Sequence, residues 1–573
     1  MGCQGRNRLK RPFIYGVLAF LIIFHAANSI AVLRADRVPF VGDAGRVYAG
    51  VASAVKGGSG LFAIAASLYA DTDDIHPPLF GTISGITYAF LGKSQDAAVL
   101  ANTLFFSLLL IGTYLLGKEL FVPEIGLLAA IVLSFFPGVY SLSRAFMSDF
   151  SVGTLVTLSL VMLVQRRYLH SRAWAALFGL CLGLAALSQP FFSLFLVGPF
   201  TFVLGVPMVK ALLARDRHSA SVLLARTILI MSVAILVAGP WYLRHAVGYF
   251  GLQGCRSALL THLSATPLVP LHVGFWNLIS SYLYSPVAYL FVIALAHFSI
   301  REKTYRGLLL SWMTIPYLVF LLVGADKDIL LHLVMFPAVP AVALVMGYSL
   351  YRSIAWLPHR HGRILGGFLL ALLLGEVLLF YLTTYGTVGS LSALAIPESQ
   401  GLRAEMIRIN YLGRRSPRDP GFRTDETVRT LLSGPEPPAV FFLNPYGPVS
   451  DALRVELSAQ APSRNARLLS CLEGLTAGEC VERWRPNDDC QALIRSADFV
   501  VAESVSTAPS NYEVWSNPSA QDAGLIASFV RSAQETVLND TVLWQLWGRG
   551  SSDGTSPSSA LWPGSDVLLL RKR

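Results

Sequence analysis

Charge is scarce in this chain. Only 14% of its 573 residues are Asp, Glu, Lys or Arg, against roughly 25% in an ordinary soluble domain. Apolar residues make up 54%, and the mean hydropathy is +0.54. This shortage excludes a soluble enzyme. Disorder is excluded by what accompanies it, since 33 Phe, 21 Tyr and 10 Trp bring far more apolar surface than a disordered segment carries. No internal repeat is visible, so an inverted-repeat transporter has no support in the sequence. What these absences leave is a polytopic α-helical membrane protein.

Apolar runs of about 17–25 residues, the length that crosses a bilayer, lie near 12–33, 96–117, 123–142, 147–165, 173–189, 190–209, 222–243, 271–298, 307–323, 329–350 and 364–388. They predict about eleven crossings. The first run follows Arg6, Arg8, Lys10 and Arg11, which predicts a cytoplasmic N-terminus. That run is too long, and too poor in a cleavage site, for a removed signal peptide. With this orientation the cytoplasmic loops hold Lys118, Arg166, Arg167, Arg172, Lys210, Arg215, Arg217, Arg301, Lys303, Arg306, Arg352, Arg360 and Arg363 with almost no acids. Asp36, Asp43, Asp71, Asp73, Asp74, Asp149, Asp326 and Asp328 fall on the exoplasmic side. Such an alternation is what the positive-inside rule produces.

Residues 77–92 do not fit as a span. As a helix they would be about 24 Å long, short of a roughly 30 Å hydrocarbon core. Counting them as a crossing would also invert every later loop. They read as a re-entrant or interfacial helix closing a long first exoplasmic loop, 34–92. The membrane domain therefore covers 1–394, and a soluble exoplasmic α/β domain covers 395–573. The charge divides at the same place, with 27 basic and 14 acidic residues before 395 and 18 and 21 after it. In the tail, PAVFFLNPY, ADFVVAES, TVLWQLWG and SDVLLLRK read as strands, and VSDALRVELSAQ and QDAGLIASFVRSAQ as amphipathic helices. Of only six cysteines, Cys471, Cys480 and Cys490 cluster there. An exoplasmic location permits one disulfide within the trio. With no C-x-x-C and no nearby His, zinc is the weaker reading.

The chemistry-bearing residues gather at the exoplasmic mouths. In the first loop Asp43 and Arg46 stand three apart, on one face of any helix that starts there, and Tyr48 follows. The carboxylate could deprotonate an attacking hydroxyl while the guanidinium binds a phosphate. The same pair also reads as an interfacial cap and ion pair. His76 directly precedes Pro77 and Pro78, which fix an extended entry at the membrane face. Asp71-Thr72-Asp73 matches the D-x-D pair that holds Mg²⁺ or Mn²⁺ on a nucleotide-sugar diphosphate, and it equally reads as solvated loop carboxylates. SRAFMSDF sets Arg144 and Asp149 at a turn between spans. GPWYLRH places Trp241, Tyr242, Arg244 and His245 at a span exit, and Lys327 and His332 lie at a later one. Aromatic and basic residues at helix ends also serve as plain membrane anchors.

In order, these segments resemble the GT-C membrane glycosyltransferases, in the branch containing the dolichyl-phosphate-mannose protein mannosyltransferases and the lipid A aminoarabinose transferase. The matching pieces are Asp43 with Tyr48 and Ala49, then Pro77-Pro78-Leu79, Arg144 with Asp149, Gly239 to Arg244, and a late Pro-rich span. They cover about 1–350. The resemblance implies transfer of a sugar, a hexose or pentose, from a polyprenyl monophosphate to a lipid, glycan or protein acceptor at the outer face of the membrane, with inversion. It implies Asp43 as general base, with Arg46 and His76 as donor phosphate ligands. The chemistry of the exoplasmic mouths adds Asp149 as a second acid or orienting group, Arg244 and Lys327 as further phosphate ligands, and Tyr48 and Arg144 as substrate contacts. Two positions depart from the pattern: Ala44 follows Asp43 where relatives carry a second acid, and His76 replaces a Lys. The latter shifts phosphate charge onto Arg46, Arg244 or Lys327.

A polyprenyl phosphate carries one phosphate, which Arg, Lys and His can hold without a metal. No cofactor or metal is therefore expected, with Mg²⁺ or Mn²⁺ at Asp71 and Asp73 as the alternative. The lipid bilayer is a partner and nucleic acid is not, because the basic residues sit in short loops between apolar runs. The expected location is the plasma membrane, the inner one of a bacterium, with the tail on the periplasmic side. A transporter or flippase of a lipid-linked sugar is the competing function. It would call for functional charges inside spans, where Glu376 and some histidines are the exceptions to an apolar rule.

Overall fold

The computed structural model describes residues 11–35, 47–71, 77–246, 279–322 and 335–356, with short gaps, and five strands between 439 and 572. Helix α1 is Arg11–Ala35, and α2, Leu61–Asp71, precedes α3, Pro78–Leu91. A short α4, Gln95–Val99, leads into α5, Ala101–Leu120, followed by α6, Pro123–Phe135, α7, Pro137–Leu142, and α8, Asp149–Gln165. Next come α9, Arg172–Ala186, then α10, Phe192–Phe200, which runs through a π turn into α11, Val206–Leu213. The series closes with α12, Arg217–Arg244, α13, Ser285–Arg301, α14, Arg306–Leu322, and α15, Val339–Trp356.

Among the described residues, five helical stretches are long and apolar enough to cross a membrane: Arg11–Ile30, Gln95–Leu120, Phe192–Leu213, Arg217–Arg244 and Phe336–Trp356. Shorter apolar helices include Pro123–Phe135, Asp149–Gln165, Arg172–Ala186 and Val287–Arg301. The chain is a polytopic helical membrane protein. Described helices fall within ten of the expected runs, and of 271–298 and 329–350 only the later parts are described. The run 123–142 is broken at Phe136, whose extended backbone (ψ 119°) precedes Pro137, because a residue before proline is pushed out of the helical region. The run 364–388 lies outside the described residues.

Small residues set how closely the helices approach. Gly179 and Gly183 stand four apart on α9, and α12 lies directly against them. A Cβ on Gly179 would collide with the carbonyl oxygen of Ile230, and one on Gly183 would fall 2.7 Å from Val237 Cβ. This is the small-xxx-small contact that lets two membrane helices pack backbone to backbone. Helices α5 and α6 meet the same way, where a Cβ on Gly117 would lie 2.6 Å from Gly126 Cα. Helix α8 is buried along most of its length. Its Thr154 hydroxyl donates to the carbonyls of Phe105 and Phe150, both at 2.9 Å, tying α8 to α5 with the kind of bond that satisfies a hydroxyl inside an apolar bundle.

In the tail, β1, Ala439–Phe442, β2, Arg467–Leu469, β3, Phe499–Glu503, β4, Trp544–Arg549, and β5, Val567–Lys572, form one sheet in the order β2-β1-β3-β5-β4. The β1–β2 and β1–β3 pairs are parallel, and β5 pairs antiparallel with both β3 and β4. Four strands fall in the short apolar runs that predicted them. The three-residue β2 was not anticipated, being too short to show a period. The two amphipathic helices and the three tail cysteines lie outside the described residues.

Candidate active site

One end of the bundle collects the start of α8 and the ends of α9 and α12, under helices of the first loop. Asp149 is the first residue of α8 and is 7% exposed, placed where a helix N-terminus favours negative charge. Its Oδ1 accepts a hydrogen bond of 2.9 Å from Nε2 of Gln189, which follows α9. Arg144, in the turn before α8, is 5% exposed and lies within electrostatic reach of His25 on α1. Burying a guanidinium and a carboxylate in an apolar bundle is expensive unless each is engaged. Their presence sets this end apart from the apolar interior and makes it the candidate site.

The Pro-Pro-Leu segment is fastened to the same place. Pro77 is extended and Pro78 opens α3, a first-turn position where a missing N–H costs nothing. The next amide, Leu79 N–H, donates to Leu187 carbonyl at 3.0 Å. Beside it, the Tyr242 hydroxyl donates to Ala186 carbonyl at 2.8 Å. Trp241 is fully buried, and the ring of His245 stacks on it with centroids 4.6 Å apart while His245 Nδ1 bonds the Trp241 carbonyl at 2.9 Å. Tyr69 of α2 packs in this cluster, and burial raises its phenol above the ordinary range. Arg244 is exposed just beyond. The Gly-Pro-Trp-Tyr-x-Arg exit thus divides, with the aromatics locking loop to bundle and the Arg left free to face outward.

Tyr48 is buried. Its ring stands edge-on to Tyr88 at 6.0 Å and to Phe146 at 6.2 Å, and Phe80 closes on Phe146 at 4.9 Å. These rings pack the first loop onto the turn before α8. The structure therefore brings together Arg144, Asp149, Tyr48, Leu79 and the Trp241 cluster. Asp43, Arg46, His76, Lys327 and Asp73 lie outside the described residues. Asp71 closes α2. Among the described residues, no three His, Cys, Asp or Glu side chains cluster as metal ligands would.

The comparisons with known proteins follow this geometry. Residues 75–238, which run from just before the Pro-Pro segment into α12 and stop short of the Gly239–Arg244 exit, match the family model described as dolichyl-phosphate-mannose-protein mannosyltransferase. ArnT from Cupriavidus metallidurans superimposes with a TM-score of 0.56 at 14% identity, over 96% of this chain and 97% of that one. Its structure bound to undecaprenyl phosphate gives the same values. The chain has a GT-C glycosyltransferase fold of the protein mannosyltransferase and ArnT type. The Archaeoglobus fulgidus oligosaccharyltransferase is similar at a TM-score of 0.51 and 12% identity, over 91% of this chain and 73% of that one. No curated protein matches by sequence.

Two further polar residues stand at this end, half-buried Gln189 and buried His25. Gln189 carried a signal, being a polar residue directly before Pro190 where a span breaks. His25 carried a stronger one, because a histidine inside a first apolar run is a functional candidate by position alone.

Proposed function

We propose that this protein transfers a sugar from a polyprenyl monophosphate carrier to an acceptor hydroxyl or phosphate. The observation that carries the reading is the buried Arg144 and Asp149, held with Gln189 at the mouth of a GT-C-type bundle. In the reaction, the acceptor oxygen attacks the anomeric carbon from the face opposite the lipid phosphate. The bond from that carbon to the phosphate oxygen breaks, the lipid monophosphate departs, and the acceptor proton passes to a carboxylate. Asp43 is the base, and Asp149 orients the substrate or serves as the second acid. Arg46, His76, Arg244 and Lys327 hold the leaving phosphate, which needs no metal when cations surround it. Loss of turnover in EDTA, restored by Mn²⁺, would shift the chemistry to Asp71 and Asp73.

Asp43→Asn keeps the size and removes the basicity. It should give an inserted protein that binds undecaprenyl phosphate like wild type yet transfers on the order of 10²–10⁴ times more slowly. Near-normal transfer by this variant would remove Asp43 as the base. Flipping of a lipid-linked sugar without transfer by the wild type would favour the transporter.

The proposed orientation has a cytoplasmic N-terminus and an exoplasmic tail, because basic loops alternate with acidic ones. An impermeant thiol reagent should then label a tag placed after Arg573 and spare one placed before Arg6. The opposite labelling overturns it.

A further inference from the structure

At the end of the bundle away from the candidate site, two arginines stand on the facing sides of a close helix pair. Helices α9 and α12 run parallel there, since a Cβ on Gly179 would meet Ile230 and Val233 while one on Gly183 would meet Ala234 and Val237. Counting back towards the N-termini, Arg172 lies seven residues before Gly179 and Arg226 four before Ile230. Both spacings keep a residue on the same helix face. At 1.5 Å per residue, the two arginines come within about one turn of each other in height.

Arg226 is the tenth residue of α12, about 13 Å in from the helix start. It is half-buried in an otherwise apolar stretch, and neither it nor Arg172 has a hydrogen bond or ion pair among the described residues. Helical side chains lean towards the N-terminus, so Arg226 snorkels in the direction of Arg172 and Arg217. A cation at that depth is costly, and a second guanidinium beside it adds repulsion. The neighbouring chain supplies no anion to offset this. Residues 166–172 and 210–226 carry seven Lys or Arg and a single acid, Asp216. Its carboxylate is occupied as the cap of α12, accepting from the Ser219 amide at 3.1 Å. The two stretches form one surface, because the turn Arg167–Leu169 and helix α11 both pack against α12.

The apolar flank identifies the missing anion. Helix α11 buries none of its residues, and Leu213 at its end and Leu224 on α12 are 80% and 50% exposed. A soluble anion would leave these side chains bare, whereas acyl chains cover them. A zwitterionic headgroup would bring its own ammonium into a basic cluster. We infer that Arg172 and Arg226, with Arg217 at the rim, form a site for the phosphate of an anionic glycerophospholipid, whose acyl chains lie along α11 and α12. This site is at the opposite end from Asp149 and stands independently of the proposed function.

The test titrates purified, delipidated full-length protein in detergent with phosphatidylglycerol, with phosphatidylcholine of the same acyl chains, and with inorganic phosphate. Wild type should bind phosphatidylglycerol about tenfold or more tightly than phosphatidylcholine. Arg172→Gln with Arg226→Leu should remove most of that preference and leave phosphatidylcholine binding unchanged. Arg301→Gln with Arg352→Gln, at the same end but on α13 and α15, should keep it. Undiminished preference in the first pair overturns the assignment. Equal loss in the second pair also overturns it, because the basic surface would then be diffuse. Inorganic phosphate that binds as tightly as the lipid overturns the lipid as occupant. Should the first pair melt well below wild type, the exposed Arg172→Gln alone decides, with an expected loss of about fivefold. No loss in that single variant overturns the site.

Discussion

The two ends of the helical bundle use charge in opposite ways. At the end where α8 begins, Arg144 and Asp149 are buried beside His25, Ser143, Ser151 and Asn102. At the other end Lys118, Arg166, Arg167, Lys210, Arg301, Lys303, Arg306 and Arg352 are all exposed. Their side chains reach outward or lie on rings, as Arg167 does over Trp174 at 5.1 Å and Arg352 over Tyr348 at 5.4 Å. Apart from Glu302, which caps a turn by accepting from the amides of Thr304 and Tyr305, what this end buries among the described residues is neutral. Tyr168 is an example, its phenol pushed up to about 12 by burial. Exposed charge sets topology and anchors helices at small energetic cost, whereas a buried charge is costly and makes its surroundings a candidate site.

Mutations at the two ends should separate these roles. Asp149→Asn removes a buried charge without changing shape, and a carboxylate that orients substrate or serves as a second acid should cost about 10²-fold or more in kcat. Transfer measured with a lipid-linked donor checks this, and wild-type turnover would put the buried end on a par with the exposed one. Gln189→Leu should have a smaller effect on rate but should lower stability by about 1–3 kcal/mol, because it strips a hydrogen bond from a buried carboxylate. Thermal unfolding in detergent reads this directly, and an unchanged melting temperature would mean that Asp149 relies on other partners. The smallest effect belongs to the opposite end, where Arg301→Gln with Arg352→Gln should change stability by at most about 1 kcal/mol per residue and leave transfer intact. A large loss of transfer there would erase the distinction.

The candidate site was legible in part because its residue types are costly in a membrane. Pro77 and Pro78, Arg144, Asp149 and the aromatic exit at Trp241 all stand out against apolar runs, and each lies at the same end of the bundle. Tyr48 was legible as a residue of the first loop, but its neighbours were not, because the rings of Tyr88 and Phe146 that surround it come from segments distant in sequence. Gln189 lies 40 residues from Asp149. Nothing local links the two, because their meeting depends on how α9 returns alongside α8.

By itself the sequence determined that this chain is a membrane protein and where most of its described helices run. Those properties follow from local rules: length against bilayer thickness, and the cost of charge and proline in a span. Tertiary structure decided which of the polar residues meet. The backbone contact through Gly179 and Gly183 fixes α12 on α9, bringing Trp241 and Tyr242 onto Ala186 and Leu187. Leu79 then closes over them, and Asp149 and Gln189 face one another. Such pairings depend on side-chain volume across helices distant in sequence, which no run of neighbouring residues encodes.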